Sequence, residues 1–589
     1  MSWIFLLCLS FATLAETELE PINVEAKKDI DRFTFSTSTT IPTREIENQP
    51  LGLISPELEK VSGVIANQNG GPGGRVSFFI RGTEGRHVSF TLDGLKINDT
   101  SNTDRQFDGA FLTSPIVKNI TVYKGPQAVL YGSDAMGGMI EITSRKGENA
   151  PETRLNVNAG SFGTIGSTLA NDWKTQGSSG TLTATRFHSD GISRLNEKRF
   201  DGDEEDATDI TQLTSSSMHQ LANKIQTDLL FSYLHGKAEQ DSFASDNSSD
   251  LSRNDQYILQ QKTNFELADF QAMSLRNGFN RHQRKNESVS MGSEFFNGNL
   301  IQHELIHRME IGPHGFITGL STEQESVEAI NLDRSFDLHS AFFQTAFEKN
   351  DVRFHAGIRA DKHSKYGSFY TGSMGLGYSA VSFQYSRGYK APSLYQLYGP
   401  DSFGSPVGNP NLVPETNHYL ELAWKKDEEV YEAEVSLFQN RLSNLFTYSF
   451  GEGYLNQQRF IAEGVEFSGK LKRGRFDYFA SFTHQQFREE EAIVLRRPYN
   501  TAQGGISWFP QETLEINANA RWFSSRKDFG NTGIVKLNSF EVVDLGVRKS
   551  WERDDLSIQL KNIFGRDYEE IYGFNILPRS LFGSYGHRF

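Results

Sequence analysis

Leu514-Glu515-Ile516-Asn517-Ala518-Asn519-Ala520-Arg521-Trp522 is the stretch that decides the fold. Apolar side chains fall on every second position, and because successive side chains of a strand point to opposite faces, they all share one face. The pattern returns in Val381-Ser382-Phe383-Gln384-Tyr385 and Leu556-Ser557-Ile558-Gln559-Leu560, and less strictly from Tyr431 to Phe438. A soluble β-sandwich alternates in the same way, so length must discriminate. From residue 148 to Phe589 the alternation runs for roughly 440 residues, which exceeds one sandwich and suits a barrel of ~22 strands at about 20 residues per strand and turn.

Composition supports the barrel. The chain has 589 residues, 52 of them glycine, with 12% aromatics and a mean hydropathy of −0.50. No interior run approaches the ~20 apolar residues of a membrane helix, which excludes a helical membrane protein. A membrane β-barrel is compatible, because lipid-facing apolar and lumen-facing polar residues average out as hydrophilic. A formal net charge of −15 argues against nucleic acid as a partner, since phosphate binding needs a basic surface.

The one long apolar run, Trp3 to Ala15, is followed at once by Glu16-Thr17-Glu18. It resembles a secretory signal peptide over residues 1–15, with cleavage after Ala15, although no Lys or Arg precedes the run. A buried N-terminal strand or helix is the alternative. A lipoprotein reading of Cys8 fits poorly, because Phe5-Leu6-Leu7 lies inside the apolar run. Cys8 is the sole cysteine, so cleavage leaves no disulfide framework and no cysteine metal site.

Three zones follow the signal. Residues 16–40 are polar and aperiodic, an extension. Residues 41–147 read as a compact mixed domain, with β-like runs Val76 to Ile80, Val88 to Leu92 and Ile120 to Tyr123 separated by Gly-rich turns, and a helical stretch near Pro56 to Val61. Residues 148–589 form the barrel. The chain closes on Leu581-Phe582-Gly583-Ser584-Tyr585-Gly586-His587-Arg588-Phe589, an aromatic-ended strand with Leu581 and Tyr585 on one face, as suits a last strand that pairs with the first to remove the sheet edge.

Motifs in the mixed domain carry a resemblance. Val122-Tyr123-Lys124-Gly125-Pro126-Gln127-Ala128-Val129-Leu130-Tyr131-Gly132-Ser133-Asp134-Ala135-Met136-Gly137-Gly138-Met139-Ile140-Glu141-Ile142 resembles the plug signature of TonB-dependent receptors. Ile80-Arg81-Gly82-Thr83 and Leu92-Asp93-Gly94-Leu95 match two further plug motifs. In the barrel, Ser386 to Gly399, Gly408 to Glu415 and Leu560 to Glu569 resemble family segments. Within the family the wording is closest to the cobalamin receptors.

The resemblance implies an all-β transmembrane protein of the cell outer membrane, a ~22-stranded antiparallel β-barrel in outer-membrane lipid with an N-terminal α/β plug domain in the lumen. It implies active transport rather than catalysis, and TonB with its inner-membrane energising proteins as partner. Glu20-Pro21-Ile22-Asn23-Val24-Glu25-Ala26 resembles the TonB box, an extended segment that can add as a strand to a partner's sheet edge. Arg81, Lys124 and Asp134 are expected to form salt bridges with the barrel wall and hold the plug. No Ser/His/Asp or paired-carboxylate set stands out as an enzyme's, and a passive channel or adhesin has no use for the plug and the box.

Cobalamin is the first expectation for the cargo and a ferric siderophore the alternative. The plug residues expected to face it are Gly74, Arg75, Val76, Ser77, Glu84, Asn102 and Thr103. Haem is disfavoured, because Tyr389-Lys390-Ala391-Pro392 and Asn409-Pro410-Asn411-Leu412 resemble haem-receptor boxes, yet residues 393–408 contain no His to ligate iron. Asp201, Asp203, Asp206 and Asp209, with Asp241, Asp246 and Asp250, fall in two early surface loops and are candidate calcium ligands, in keeping with the resemblance. A solvated acidic face is the alternative.

Overall fold

The computed structural model describes residues 33–47, 49–147, 151–200, 204–241, 250–288, 292–401, 405–489 and 493–589. The signal-like run and the segment 20–26 lie outside them. Within the described residues, 22 antiparallel strands close into a barrel, and the last, Ser580–Arg588, pairs with the first, Glu152–Gly160, from Phe582↔Gly160 to Arg588↔Arg154. Among the described residues, no helix is long and apolar enough to cross a membrane.

The alternation is inverted relative to a soluble protein. In the strand Leu514–Phe523, Ile516 and Trp522 are each 37% exposed on the outer surface, while Glu515, only 9% exposed, points inward. Leu581 and Tyr585 of the closing strand are likewise exposed on one face. Apolar side chains meet lipid and polar ones line a filled lumen, as a hydrocarbon solvent requires.

Connections alternate between two ends. Turns of two or three residues join strands at one end, such as 350–351 and 379–380, whereas 190–207, 391–414 and 562–579 span the other. Short turns belong to the periplasmic side and long loops to the cell surface, which orients the molecule.

The plug fills the lumen. Its five-stranded sheet runs, in spatial order, Ser38–Pro42, Val117–Lys124, Gly138–Ser144, Val88–Leu92, Leu95–Lys96, with one parallel pair between Val88–Leu92 and Gly138–Ser144. A hairpin of Val64–Gln68 and Val76–Ile80 packs beside it. A short helix, Ser55–Leu58, stands where the helical stretch is expected. Ile46, Leu58, Phe78, Ile80, Phe90 and Val122 are among the fully buried residues of its core. The extension expected over 16–40 ends earlier than the sequence implies: residues 38–42 form a plug strand, from Ser38↔Tyr123 to Pro42↔Asn119. The run Thr39-Thr40-Ile41 is β-branched and covers a sheet edge that would otherwise stay unpaired.

Candidate functional site: the plug locks and the extracellular mouth

Three buried ionic clusters tie the plug to the wall. In the first, Arg81 donates from Nε to Glu466 Oε1 at 3.1 Å and from Nη2 to Glu466 Oε2 at 2.9 Å, from Nη1 to Glu421 at 2.9 Å, and also to Tyr419, Thr37 and Ser436. Lys124 reaches the same Glu466 at 3.1 Å. Gly63 lets the wall come this close: with φ +74, a Cβ there would lie 1.9 Å from Glu466 Oε1. Glu421 and Glu466 are polar positions inside alternating strands, so the lumen-facing parity aims them at the plug.

The second cluster centres on Asp134. Lys390 donates to it at 2.6 Å and Arg105 at 3.1 Å, while Arg105 also pairs with Glu325 of the wall at 2.9 Å. Burial alone would raise the Asp134 carboxyl; Arg105 and Lys390 override it and hold it well below the ordinary carboxylate range. The third joins Arg86 and His87 of the plug to Glu415, at 3.0 and 2.7 Å. Sequence reasoning names Arg81, Lys124 and Asp134, and all three sit in these clusters. Lys390 and the wall carboxylates go unnamed, their only signal being a charge at an inward position of an alternating strand, and so do Arg86 and Arg105, which sit in a short 3-10 turn and a loop of the plug with no periodic pattern to mark them.

The seven plug residues expected to face a cargo divide. Arg75 is the most open, its side chain 42% exposed beside Asp104 at 3.8 Å. Glu84 is 30% exposed, and pairs with Arg86 at 2.8 Å and Arg497 at 3.4 Å. Ser77 and Thr103 are half-buried: Ser77 accepts from Gln106, and the carbonyl of Thr103 accepts from Ser393 at 2.5 Å. The other three require correction. Val76 is 1% exposed in the plug core, because it sits on the opposite face of its strand from Ser77. Asn102, 3% exposed, bonds the Gln106 carbonyl. Gly74 closes a tight turn, where a Cβ would meet the Asn69 carbonyl at 1.9 Å.

Above the plug the mouth is lined by aromatics and cations. His363 lies 4.4 Å from Phe336 and 5.0 Å from Tyr366, ring centre to ring centre. Lys365 sits 4.7 Å and Arg334 5.6 Å from the Tyr398 ring, and Arg284 5.1 Å from that of Phe296. Tyr398 belongs to a short helix, Leu394–Tyr398, capped reciprocally by Ser393 and Gln396. The nearby Asn409 anchors its loop on the Tyr454 carbonyl at 2.8 Å.

The acidic loops converge partly. Carboxylate oxygens of Glu204, Asp206 and Asp241 lie within 4.8 Å of one another. Asp206 is 1% exposed, one oxygen accepts from the Arg194 N–H at 2.7 Å, and the other has no hydrogen-bond partner among the described residues. Burial pushes its carboxyl up to about 7, with Asp241 and Glu204 adding to the rise against Arg194. Three hard oxygens from two loops fit part of a calcium shell. Asp201, Asp203 and Asp246 lie outside the described residues. Asp209 does not join the group: it faces outward on its strand and pairs with Arg186 and His188. Asp250 is held apart, accepting from Ser288 at 2.9 Å.

A closed lipid-facing barrel with an ion-locked domain in its lumen and a cupped mouth at the cell surface defines a plugged outer-membrane receptor. The chain belongs to the TonB-dependent receptor family: the family's sequence profile described as TonB dependent receptor-like, beta-barrel, matches residues 150–564, and the TonB-dependent Receptor Plug Domain matches residues 31–139. This is a family of outer-membrane transporters and receptors rather than enzymes, energised through TonB. Among curated relatives, the Vitamin B12 transporter BtuB of Vibrio vulnificus is 25% identical, covering 95% of this chain and 90% of that protein. The Vitamin B12 transporter BtuB of Photobacterium profundum is 22% identical, covering 97% and 93%. Among solved structures, the siderophore receptor PirA of Acinetobacter baumannii superposes with a TM-score of 0.81 at 16% identity, covering 96% of this chain and 99% of that one. A mutant of the ferric enterobactin receptor PfeA of Pseudomonas aeruginosa gives 0.80 at 15%, covering 98% and 100%. These two likenesses concern the fold.

Proposed function

We propose that this receptor imports a cobalamin, captured at the mouth above Arg75, Glu84 and Thr103 and admitted when TonB pulls the plug. The observation that carries this reading is the near full-length match to relatives named as vitamin B12 transporters, which extends through plug, barrel and loops. The segment 20–26 is the proposed TonB box: an extended strand whose main-chain groups add to a sheet edge supplies affinity without a preformed pocket. Glu204, Asp206 and Asp241 are proposed to hold calcium and so order the loops 190–207 and 240–250 over the mouth. Arg81, Lys124 and Asp134 are proposed to keep the plug seated between transport events.

A second reading, a ferric siderophore as cargo, is favoured by one feature, the pairing of Lys365, Arg334 and Arg284 with the half-buried rings of Tyr398 and Phe296. Cations over aromatic rings suit an anionic aryl ligand. Binding to intact cells, measured with labelled cyanocobalamin and a panel of ferric siderophores as competitors, tests the ranking. Saturable cobalamin binding unaffected by the siderophores is expected. Binding of a siderophore with no cobalamin binding would overturn it.

A further inference from the structure

The outward face of five neighbouring strands, Val381–Lys390, Glu415–Asp427, Tyr431–Ser449, Gly453–Arg473 and Phe476–Glu489, changes character in steps. Their pairing register places Val381, Trp424, Val435, Phe467 and Phe482 in one cross-strand row. All five are between 37% and 46% exposed, the signature of a lipid-facing row. Six residues further along every strand toward the cell surface, about 20 Å at 3.3 Å per residue, the matching row reads Arg387, His418, Arg441, Ile461 and Arg488. An even number of steps keeps the same face, so these side chains also point out of the barrel. The row runs obliquely, because barrel strands tilt.

This stripe carries more cations than its one nearby carboxylate can offset. Arg459 adds a fourth outward arginine beyond Ile461, and the one outward carboxylate in these rows is Glu463, 2.6 Å from Arg488. Among the described residues no ion pair ties Arg387 or Arg441, and both are exposed. A chain of net charge −15 has gathered cations here. Elsewhere on the barrel the comparable row Lys237, Arg253, Lys285 carries its own counter-charge, Glu287, at 3.1 Å from Arg253 and 2.5 Å from Lys285.

We infer that the arginine stripe is a docking surface for the phosphorylated headgroup of a glycolipid in the outer leaflet. The position supplies the occupant: the guanidiniums stand just above lipid-facing rows, where acyl chains give way to headgroups. Adjacent strands lie about 4.8 Å apart, so Arg387 and Arg441, two strands apart, present forks about 10 Å from each other. Planar guanidinium forks match phosphate oxygens bidentately and are weakly hydrated, which suits a headgroup at a membrane interface. His418 between them offers a further donor, its Nδ1 already engaged with the Tyr385 hydroxyl at 2.8 Å.

The test uses the full-length receptor in detergent, with bisphosphorylated lipid A, the same lipid dephosphorylated, and inorganic phosphate as probes. Arg387→Gln/Arg441→Gln should bind bisphosphorylated lipid A at least about tenfold more weakly than wild type, and Arg253→Gln/Lys285→Gln should bind it as wild type does. Dephosphorylated lipid should bind weakly to all three. Heat-modifiable gel mobility checks folding, and Arg441→Lys, which keeps the charge and loses the fork, should give an intermediate loss if the double variant fails to fold. Equal affinity of wild type and Arg387→Gln/Arg441→Gln, an equal loss for the dephosphorylated lipid, or inorganic phosphate binding as tightly as the lipid would each overturn the inference.

Discussion

Arg81 of the plug and Glu466 of the barrel wall, 385 residues apart in sequence, meet through two hydrogen bonds and are exposed by 0% and 2%. The pair is the centre of a buried cluster in which Arg81 also reaches Glu421, Tyr419 and Ser436 of the wall. Removing one partner of a buried pair strands the other's charge and costs about 3–5 kcal/mol. Arg81→Ala should therefore loosen the plug while the barrel, closed by its own ladders, stays folded. Amide exchange should accelerate in the plug strands and remain slow in the barrel, and unchanged plug protection would show that the pair does not hold it.

The Asp134 cluster predicts a response to acid. Because Arg105 and Lys390 depress this carboxyl in the folded protein, its contribution is complete above the unfolded value of about 3.9 and is lost as pH falls further. Plug protection in the wild type should fall below about pH 4. Asp134→Asn should already be less protected at pH 7 and show a flatter acid dependence; a variant that matches wild type at both pH values would remove Asp134 from the lock.

Calcium should tighten cargo binding if Glu204, Asp206 and Asp241 order the outer loops. The gain between chelator and millimolar calcium should disappear in Asp241→Ala. Equal affinity with chelator and with calcium would leave these carboxylates as a solvated face.

Haem provides a check on the ranking of cargoes. With no His between residues 393 and 408 to ligate iron, haemin titrated into the purified receptor should give no Soret shift. A stoichiometric shift at micromolar haemin would contradict the ranking.

The barrel was legible from alternation because lipid and lumen impose the same period on every strand, as Leu514 to Trp522 illustrates. The plug charges Arg81, Lys124 and Asp134 stood out in Gly-rich motifs, but their partners did not: Glu421 and Glu466 lie between apolar neighbours, and which inward position meets the plug depends on register and shear across strands far apart in sequence. By position in the plug's outward loops, Val76 and Asn102 are expected against the cargo. Val76 is buried by the hairpin packing against the sheet and Asn102 by its loop folding back on the Gln106 carbonyl, neither of which local pattern encodes. Asp209 falls among acidic neighbours in sequence, but strand parity turns it outward toward Arg186 and His188.

TonB-driven import is tested most directly by uptake set against binding in the same cells. Val24→Pro removes a ladder donor from the proposed box and fixes φ near −65°, which strand pairing tolerates poorly. The substitution lies outside the plug and barrel, so membrane insertion and surface binding should stay near wild type. A loss of ~1.4 kcal/mol is already tenfold in association with the partner, so uptake of labelled cobalamin should fall to background while whole-cell binding persists. Normal uptake in Val24→Pro cells, at receptor levels matched by blot, would contradict the account.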